Sequence, residues 1–206
     1  MKIYKDGKEI STELSNKPFG FVLLGQPVTK KNSAILTRGR ARILPSSQYM
    51  EYERRCREAI NVLRKQIEIP HFDMPVQMTC RYYLQSRKHY PDLTGLQQAT
   101  ADIISDEYKT INHKKTLVKQ WLLSDDRIIK NWDGSKIAGI DKLNPRTEII
   151  ITPLKVDLKT ETDPYIIKKI KEQQQENLFY EKPKESPYRS YINFLLSKDD
   201  ETQMIL

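Results

Sequence analysis

The chain has 206 residues, 38 % hydrophobic and 30 % charged, enough for one domain with a real core and too few for two ordinary ones. Its net charge of +8 is uneven: residues 1–154 hold 26 Lys and Arg against 17 Asp and Glu, and residues 155–206 hold nine against ten, so a basic body points to a polyanionic partner. No apolar run approaches a bilayer span, which reads as a soluble, cytoplasmic chain with no membrane partner. Cys56 and Cys80 lack partners at zinc-finger spacing, which sets aside a structural zinc site and fits a reducing compartment.

Residues 1–18 are polar and read as a loosely held arm. Residues 19–25 read as a buried strand, stopped by Gln26-Pro27. Residues 34–37 and 41–44 can pair as a hairpin around Arg38-Gly39-Arg40. Ser46 or Ser47 caps a helix to about Ile67, with Met50, Cys56, Ile60, Leu63 and Ile67 as its apolar stripe. Residues 76–85 form a strand in which Met78, Cys80, Tyr82 and Leu84 alternate on one face. Thr94 caps a second helix through Ile104, apolar at Leu96, Ala99 and Ile103.

Residues 106–119 are a polar, basic connection, after which Trp121-Leu122-Leu123 leads into Asp125-Asp126. Trp121 and Trp132 read as core or dimer contacts. Residues 128–140 and 147–154 read as two strands, antiparallel to one another. Interleaved helices and strands predict an α/β or α+β layer, a mixed sheet with helices packed on it. The organisation is an arm at 1–18, a domain at 19–154 and a helical extension at 155–206. In that extension Asp163-Pro164 opens a helix holding Ile166, Ile167 and Ile170, followed by a linker at 182–187 and a short helix at 188–196.

The chemistry lies in single acidic residues set in basic or apolar surroundings. Asp92 follows a strand and the basic loop Arg87-Lys88-His89, and Asp125-Asp126 opens the next strand-like run. Carboxylates at the ends of neighbouring strands can converge on one divalent cation, and Mg²⁺ needs only one or two of them when phosphate is present. Asp92 after Pro91 serves equally as a turn or helix cap, Asp125-Asp126 as ordinary loop composition, and Asp102 as an exposed helix residue. Residues 26–65 carry ten Lys and Arg against three Asp and Glu, which favours phosphate contacts through Lys30, Lys31, Arg38, Arg40 and Arg42. A metal-dependent nuclease accounts for these features together.

The ordered set of Phe21-Val22-Leu23-Leu24-Gly25-Gln26-Pro27-Val28-Thr29-Lys30-Lys31-Asn32-Ser33, Pro91-Asp92-Leu93-Thr94, Ala101-Asp102, Asp125-Asp126-Arg127-Ile128-Ile129 and Lys136 resembles the RusA-like Holliday junction resolvases of phages and prophages, over residues 19–154. The resemblance implies a RusA-like sheet and a homodimer. It also implies a Mg²⁺-dependent endonuclease, with Mn²⁺ able to substitute, that resolves four-way junctions and other branched DNA in recombination and repair. The setting would be a bacterial or phage-infected host cytoplasm. By position it makes Asp92 and Asp126 metal ligands, with Asp125 and Asp102 completing the site. Lys136, or Lys88, would stabilise the phosphorane or the leaving oxygen, and Arg87 and Lys88 join the DNA contacts. The chain departs from the family type at Thr94, where a second Asp stands, at Gln98, where a lysine stands, and in a longer connection over residues 105–124. One carboxylate fewer implies a single metal rather than a pair. These departures support an alternative, a catalytically weakened fold that only binds DNA or a protein; an unrelated basic scaffold with coincidental aspartates is the third reading.

Overall fold

Period-two hydrophobicity in the middle of the chain becomes the central strand of a mixed sheet in the computed structural model. The structure describes residues 3–5, 8–10, 16–30, 35–36 and 43–179. In chain order the strands and α-helices are β1 Ile3–Lys5, β2 Lys8–Ile10, β3 Phe19–Leu24, β4 Ile35–Leu36, β5 Ile43–Leu44, α1 Ser47–Gln66, β6 Val76–Leu84, α2 Leu93–Ile104, β7 Glu107–Ile111, β8 Lys114–Lys119, β9 Ile129–Asn131, β10 Lys136–Ile140, β11 Arg146–Pro153 and α3 Pro164–Phe179. They fall in two compact units divided between Glu161 and Thr162.

The first unit is α+β. Its main sheet runs β10-β6-β11-β3, with β9 also paired to β6. β10 and β9 lie parallel to β6, whereas β11 is antiparallel to both β6 and β3. Val76, Met78, Cys80, Tyr82 and Leu84 of β6 are all buried, as are Thr147, Ile149 and Ile151 of β11. Two polar contacts fix the helices on this face: Tyr52 of α1 meets Thr147 at 3.1 Å and Tyr82 meets Thr100 of α2 at 3.1 Å, hydroxyl to hydroxyl. Thr147 and Tyr82 are register partners, so α1 and α2 share one side of the sheet.

Local chemistry sets the helix ends. The Ser46 hydroxyl accepts from the Tyr49 amide at 3.1 Å, and Arg64 and Lys65 occupy the last turn of α1, where cations suit the exposed carbonyls. The buried face of α1 is Tyr49, Tyr52, Cys56 and Ile60; Met50 and Ile67, expected in the stripe, are 45 % and 47 % exposed. Cys56 and Ile60 lie on the expected face, and in the first turns the two tyrosines carry the packing in place of Met50. The cap of α2 is Asp92, not Thr94. β3 buries only Leu23, since it is an edge strand with Val22 and Leu24 facing outward.

Two expectations about strands are corrected. Residues 128–140 are not one strand: a 3-10 turn at Asp126–Ile128 leads into β9, and a turn at Gly134, whose φ is +76°, separates β9 from β10. The Ser135 hydroxyl fills the gap in the ladder, accepting from the Cys80 amide at 2.9 Å and donating to the Met78 carbonyl at 3.3 Å. β10 and β11 do not pair; they flank β6 on opposite sides. The third difference is a gain. Residues 106–119 form the β7–β8 hairpin, closed by Asn112 and His113 at φ 50° and 61°, the left-handed pair that a type I′ turn requires. The expected hairpin β4–β5 is present, and β1 pairs with β2 inside the segment read as a loose arm.

Cys56 and Cys80 are free, and burial pushes each thiol up to about 12. The thiolate is the reactive form. Thiol reagent should therefore label neither cysteine in the folded chain at neutral pH and both in denaturant. Rapid native labelling would contradict their placement in the core.

In the second unit, Asp163 starts α3: its carboxylate accepts from the Tyr165 amide at 2.9 Å, and Pro164 takes the first helical position, where a missing N–H costs nothing. The expected linker at 182–187 and helix at 188–196 lie outside the described residues. Among the described residues, no helix is long and apolar enough to cross a membrane.

Candidate functional site

The segment Trp121-Leu122-Leu123-Ser124 is completely buried and positions the acidic pair that follows it. It is held on both sides by backbone. The Leu122 carbonyl and the Ser124 amide bond Phe72, at 2.7 and 2.9 Å, while the Leu122 and Leu123 amides donate to the Ile104 carbonyl at the end of α2, each at 3.0 Å. The Leu123 carbonyl accepts from the Asp106 amide at 2.8 Å. Asp125 and Asp126 thus leave a fixed base. The Asp125 carboxylate accepts from the Arg127 amide at 3.1 Å, capping the short 3-10 turn.

Asp126 has its carboxyl raised above the ordinary range. Partial burial is the main cause, followed by a hydrogen bond with Asp125 and then by the charges of Asp125 and Asp102. Asp126 thus feels the negative charge of both Asp125 and Asp102. Cations answer the other two. Lys30 binds Asp102 at 2.6 Å, and the Lys115 ammonium stands 3.8 Å from Asp125. Glu53, half-buried on α1, lies near the same charges and its carboxyl is raised, chiefly by burial. Among the described residues, no three His, Cys, Asp or Glu side chains are arranged to hold a metal ion. The donor set fits an ion held by the Asp125–Asp126 pair plus water and phosphate, the coordination Mg²⁺ tolerates, and does not fit a three-carboxylate cage.

The remaining expected residues among those described sit at the start of α2, on β10 and on the loop before α2. Asp92 is exposed and caps α2, its carboxylate accepting from the Gly95 amide. Nine residues of α2 separate it from Asp102, about 15 Å along the axis, so these two cannot ligate one ion. Lys136 opens β10 opposite Arg81, an exposed position of β6 on the side away from α1 and α2. Arg87 and Lys88 are exposed on the loop between β6 and Asp92. Lys31, Arg38, Arg40 and Arg42 lie outside the described residues. The structure brings Asp102, Asp125, Asp126 and Lys30 together; it does not bring Lys136 or Asp92 to Asp102.

The cap gives Asp92 a measurable structural role. Asp92→Ala should lower stability by about 1 kcal/mol, while Asp92→Asn should stay within a few tenths, because Asn caps as well as Asp. Urea unfolding of both variants checks this. A cost in Asn equal to that in Ala would mean that the charge of Asp92, not its cap, is what matters.

Trp121, read from the sequence as a core or dimer contact, is buried beside this site, among residues that the sequence did not assign to it. Trp121, 1 % exposed, has the cationic groups of Arg57, Arg64 and Lys119 at 5.2, 5.5 and 4.1 Å from its ring centre. Its indole N–H donates to Glu107 at 3.0 Å, and Glu107 in turn pairs with Arg57 at 2.7 Å. Arg57 also reaches the carbonyls of Asp102 and Ile103 at the end of α2. These contacts stitch α1, α2 and the β7–β8 hairpin together beside the acidic pair. The basic spacing of Arg57 and Arg64, seven residues and so about two turns apart on one helix face, was the available signal.

Compared with known proteins, the chain matches no family model and no curated protein.

Proposed function

We propose that this protein is a Mg²⁺-dependent endodeoxyribonuclease acting on branched DNA, with four-way junctions as the substrate class. The single observation that carries the reading is the Asp125–Asp126 pair, two adjacent carboxylates that follow a fixed, buried backbone in a chain whose body is strongly basic. Like charges held together at the surface need a proton or a cation between them. The ordered resemblance over residues 19–154 supplies the substrate class and a homodimer, since symmetric paired cuts need two sites related by a two-fold axis.

In this reading Asp125 and Asp126 hold the ion, and Asp102 lies close enough to tune it. When bound, Mg²⁺ would neutralise charge on the scissile phosphate and lower the pKa of a water, with Mn²⁺ able to replace it. Lys115, beside Asp125, can draw a phosphate toward the pair, and Lys30 is paired with Asp102. Lys136 and Asp92, catalytic residues by resemblance, act only if the scissile strand extends along the sheet beyond the acidic pair. Arg87 and Lys88, exposed on the loop to Asp92, would then contact that strand's phosphates.

A second reading has a specific observation in its favour. Lys30 and Lys115 already supply positive charge at the carboxylates, as in a fold that binds DNA without cutting it. Incubating a synthetic four-way junction with the protein in Mg²⁺ and in EDTA separates the two. Metal-dependent nicking at the branch is the expected result. Retarded but intact junction in both conditions would select the binding module, and neither binding nor cutting would leave a basic scaffold of other purpose.

A further inference from the structure

The β7–β8 hairpin has no packing role that its exposure can explain. Every residue from 108 to 120 is exposed, including Ile111 at 52 %, Leu117 at 46 % and Val118 at 47 %. A lone two-stranded ribbon is marginal in water without a surface to lie on. This one is nevertheless given a defined base. Glu107 bonds Arg57 and the Trp121 indole, the Tyr108 hydroxyl reaches the Ser124 carbonyl at 3.4 Å, and Lys115 lies over the Tyr108 ring at 4.3 Å and beside Asp125. The ribbon is therefore anchored beside the acidic pair, at its root through Glu107 and Tyr108 and nearer its turn through Lys115.

Its charge is one-sided. Lys109, Lys114, Lys115 and Lys119 stand against Glu107 alone, and Glu107 is consumed at the root. The register places Lys109 opposite Thr116 and Ile111 opposite Lys114, so one face alternates lysines with uncharged residues up to the turn. Apolar and cationic side chains are interspersed, so no continuous apolar patch exists for a protein partner to cover. The five residues of β7 extend about 17 Å, and a two-stranded ribbon is of a width that the major groove of B-form DNA admits. Lysines are point charges suited to phosphate rather than to reading a base edge.

We propose that the β7–β8 ribbon is a DNA-docking arm that lies on the phosphate backbone of the duplex next to the Asp125–Asp126 pair. It holds that duplex without regard to sequence. The inference rests on the reading of the chain as a DNA-binding protein, and adds which element, outside the acidic site, makes the contact.

The test is Lys109→Ala/Lys114→Ala, two exposed positions away from Asp125, assayed by fluorescence anisotropy on a labelled four-way junction and a linear duplex across a salt series. Affinity for both should fall roughly tenfold, and the slope of log affinity against log salt should be shallower by about 2, one phosphate contact per lysine. The melting temperature should be unchanged. Equal affinity and slope in variant and wild type would overturn the docking arm while leaving DNA binding in place. If the variant instead loses self-association, by sedimentation, with DNA affinity intact, the ribbon is a protein contact and the proposal fails. A wild type that binds neither DNA would overturn the docking arm and the nuclease reading together.

Discussion

Asp126→Asn should abolish junction cleavage and, at the same time, raise the melting temperature. The activity loss should exceed the roughly 10–100-fold that removing an outer-shell partner costs a metal site, because a ligand itself is removed. The stability gain follows from the raised carboxyl. The folded chain binds a proton at Asp126 more tightly than the unfolded chain does, so the stability contributed is full below the ordinary carboxylate pKa and is lost as pH rises through the raised value. At neutral pH the ionised group is therefore a net burden, partly buried and pressed by Asp125 and Asp102. Asn keeps the shape and removes the charge. The variant should melt higher than wild type at pH 7, and its advantage should shrink toward acid pH. Cleavage at wild-type rate, or a lower melting temperature at pH 7, would remove Asp126 from the site.

The largest stability effect should come from Trp121→Ala. A fully buried Trp cut to Ala typically costs about 3–5 kcal/mol, and here the loss also frees the three cations packed on its ring and the Glu107 carboxylate bonded to its N–H. Because Trp121 begins the segment that positions Asp125, activity should fall in parallel without any change in the basic surface. Chemical denaturation gives the first quantity and a cleavage assay the second. A cost under about 1 kcal/mol would mean that the cluster of α1, α2 and the hairpin does not hold the site in place.

Where a single periodicity ran uninterrupted, the pattern of residues was enough. Val76, Met78, Cys80, Tyr82 and Leu84 announced a strand buried on one side, and Ser46 announced the start of α1. Where side chains substitute for backbone regularity, it was not. Asp133-Gly134 is a turn dipeptide that divides residues 128–140, but the Ser135 hydroxyl that bridges Met78 and Cys80 across the break has no local signature. The β7–β8 turn is Asn112-His113 rather than Asn-Gly, and placing His113 in left-handed backbone is a choice that turn preferences rank low. In α1, Cys56 and Ile60 follow the expected stripe, but Met50 and Ile67 are exposed and the amphipathic Tyr49 and Tyr52 are buried at its start.

For the site, the acidic pair was visible as Asp125-Asp126, and its closeness to Asp102 was expected from resemblance alone. What local sequence leaves open is distance through space. Pro91-Asp92 reads as a ligand or as a cap, and only the rise of α2 shows that Asp92 and Asp102 belong to opposite ends of one helix.

Mn²⁺ binding followed by electron paramagnetic resonance tests the acidic pair without requiring cleavage. Free Mn²⁺ gives a six-line spectrum that weakens as the ion is bound, so titration into wild type and into Asp125→Asn/Asp126→Asn compares the two sites directly. The wild type is expected to withdraw Mn²⁺ from the free pool, the double variant to leave it there, and Mg²⁺ to release it in competition. Identical free-ion signals for the two proteins would contradict the assignment of the metal to Asp125 and Asp126.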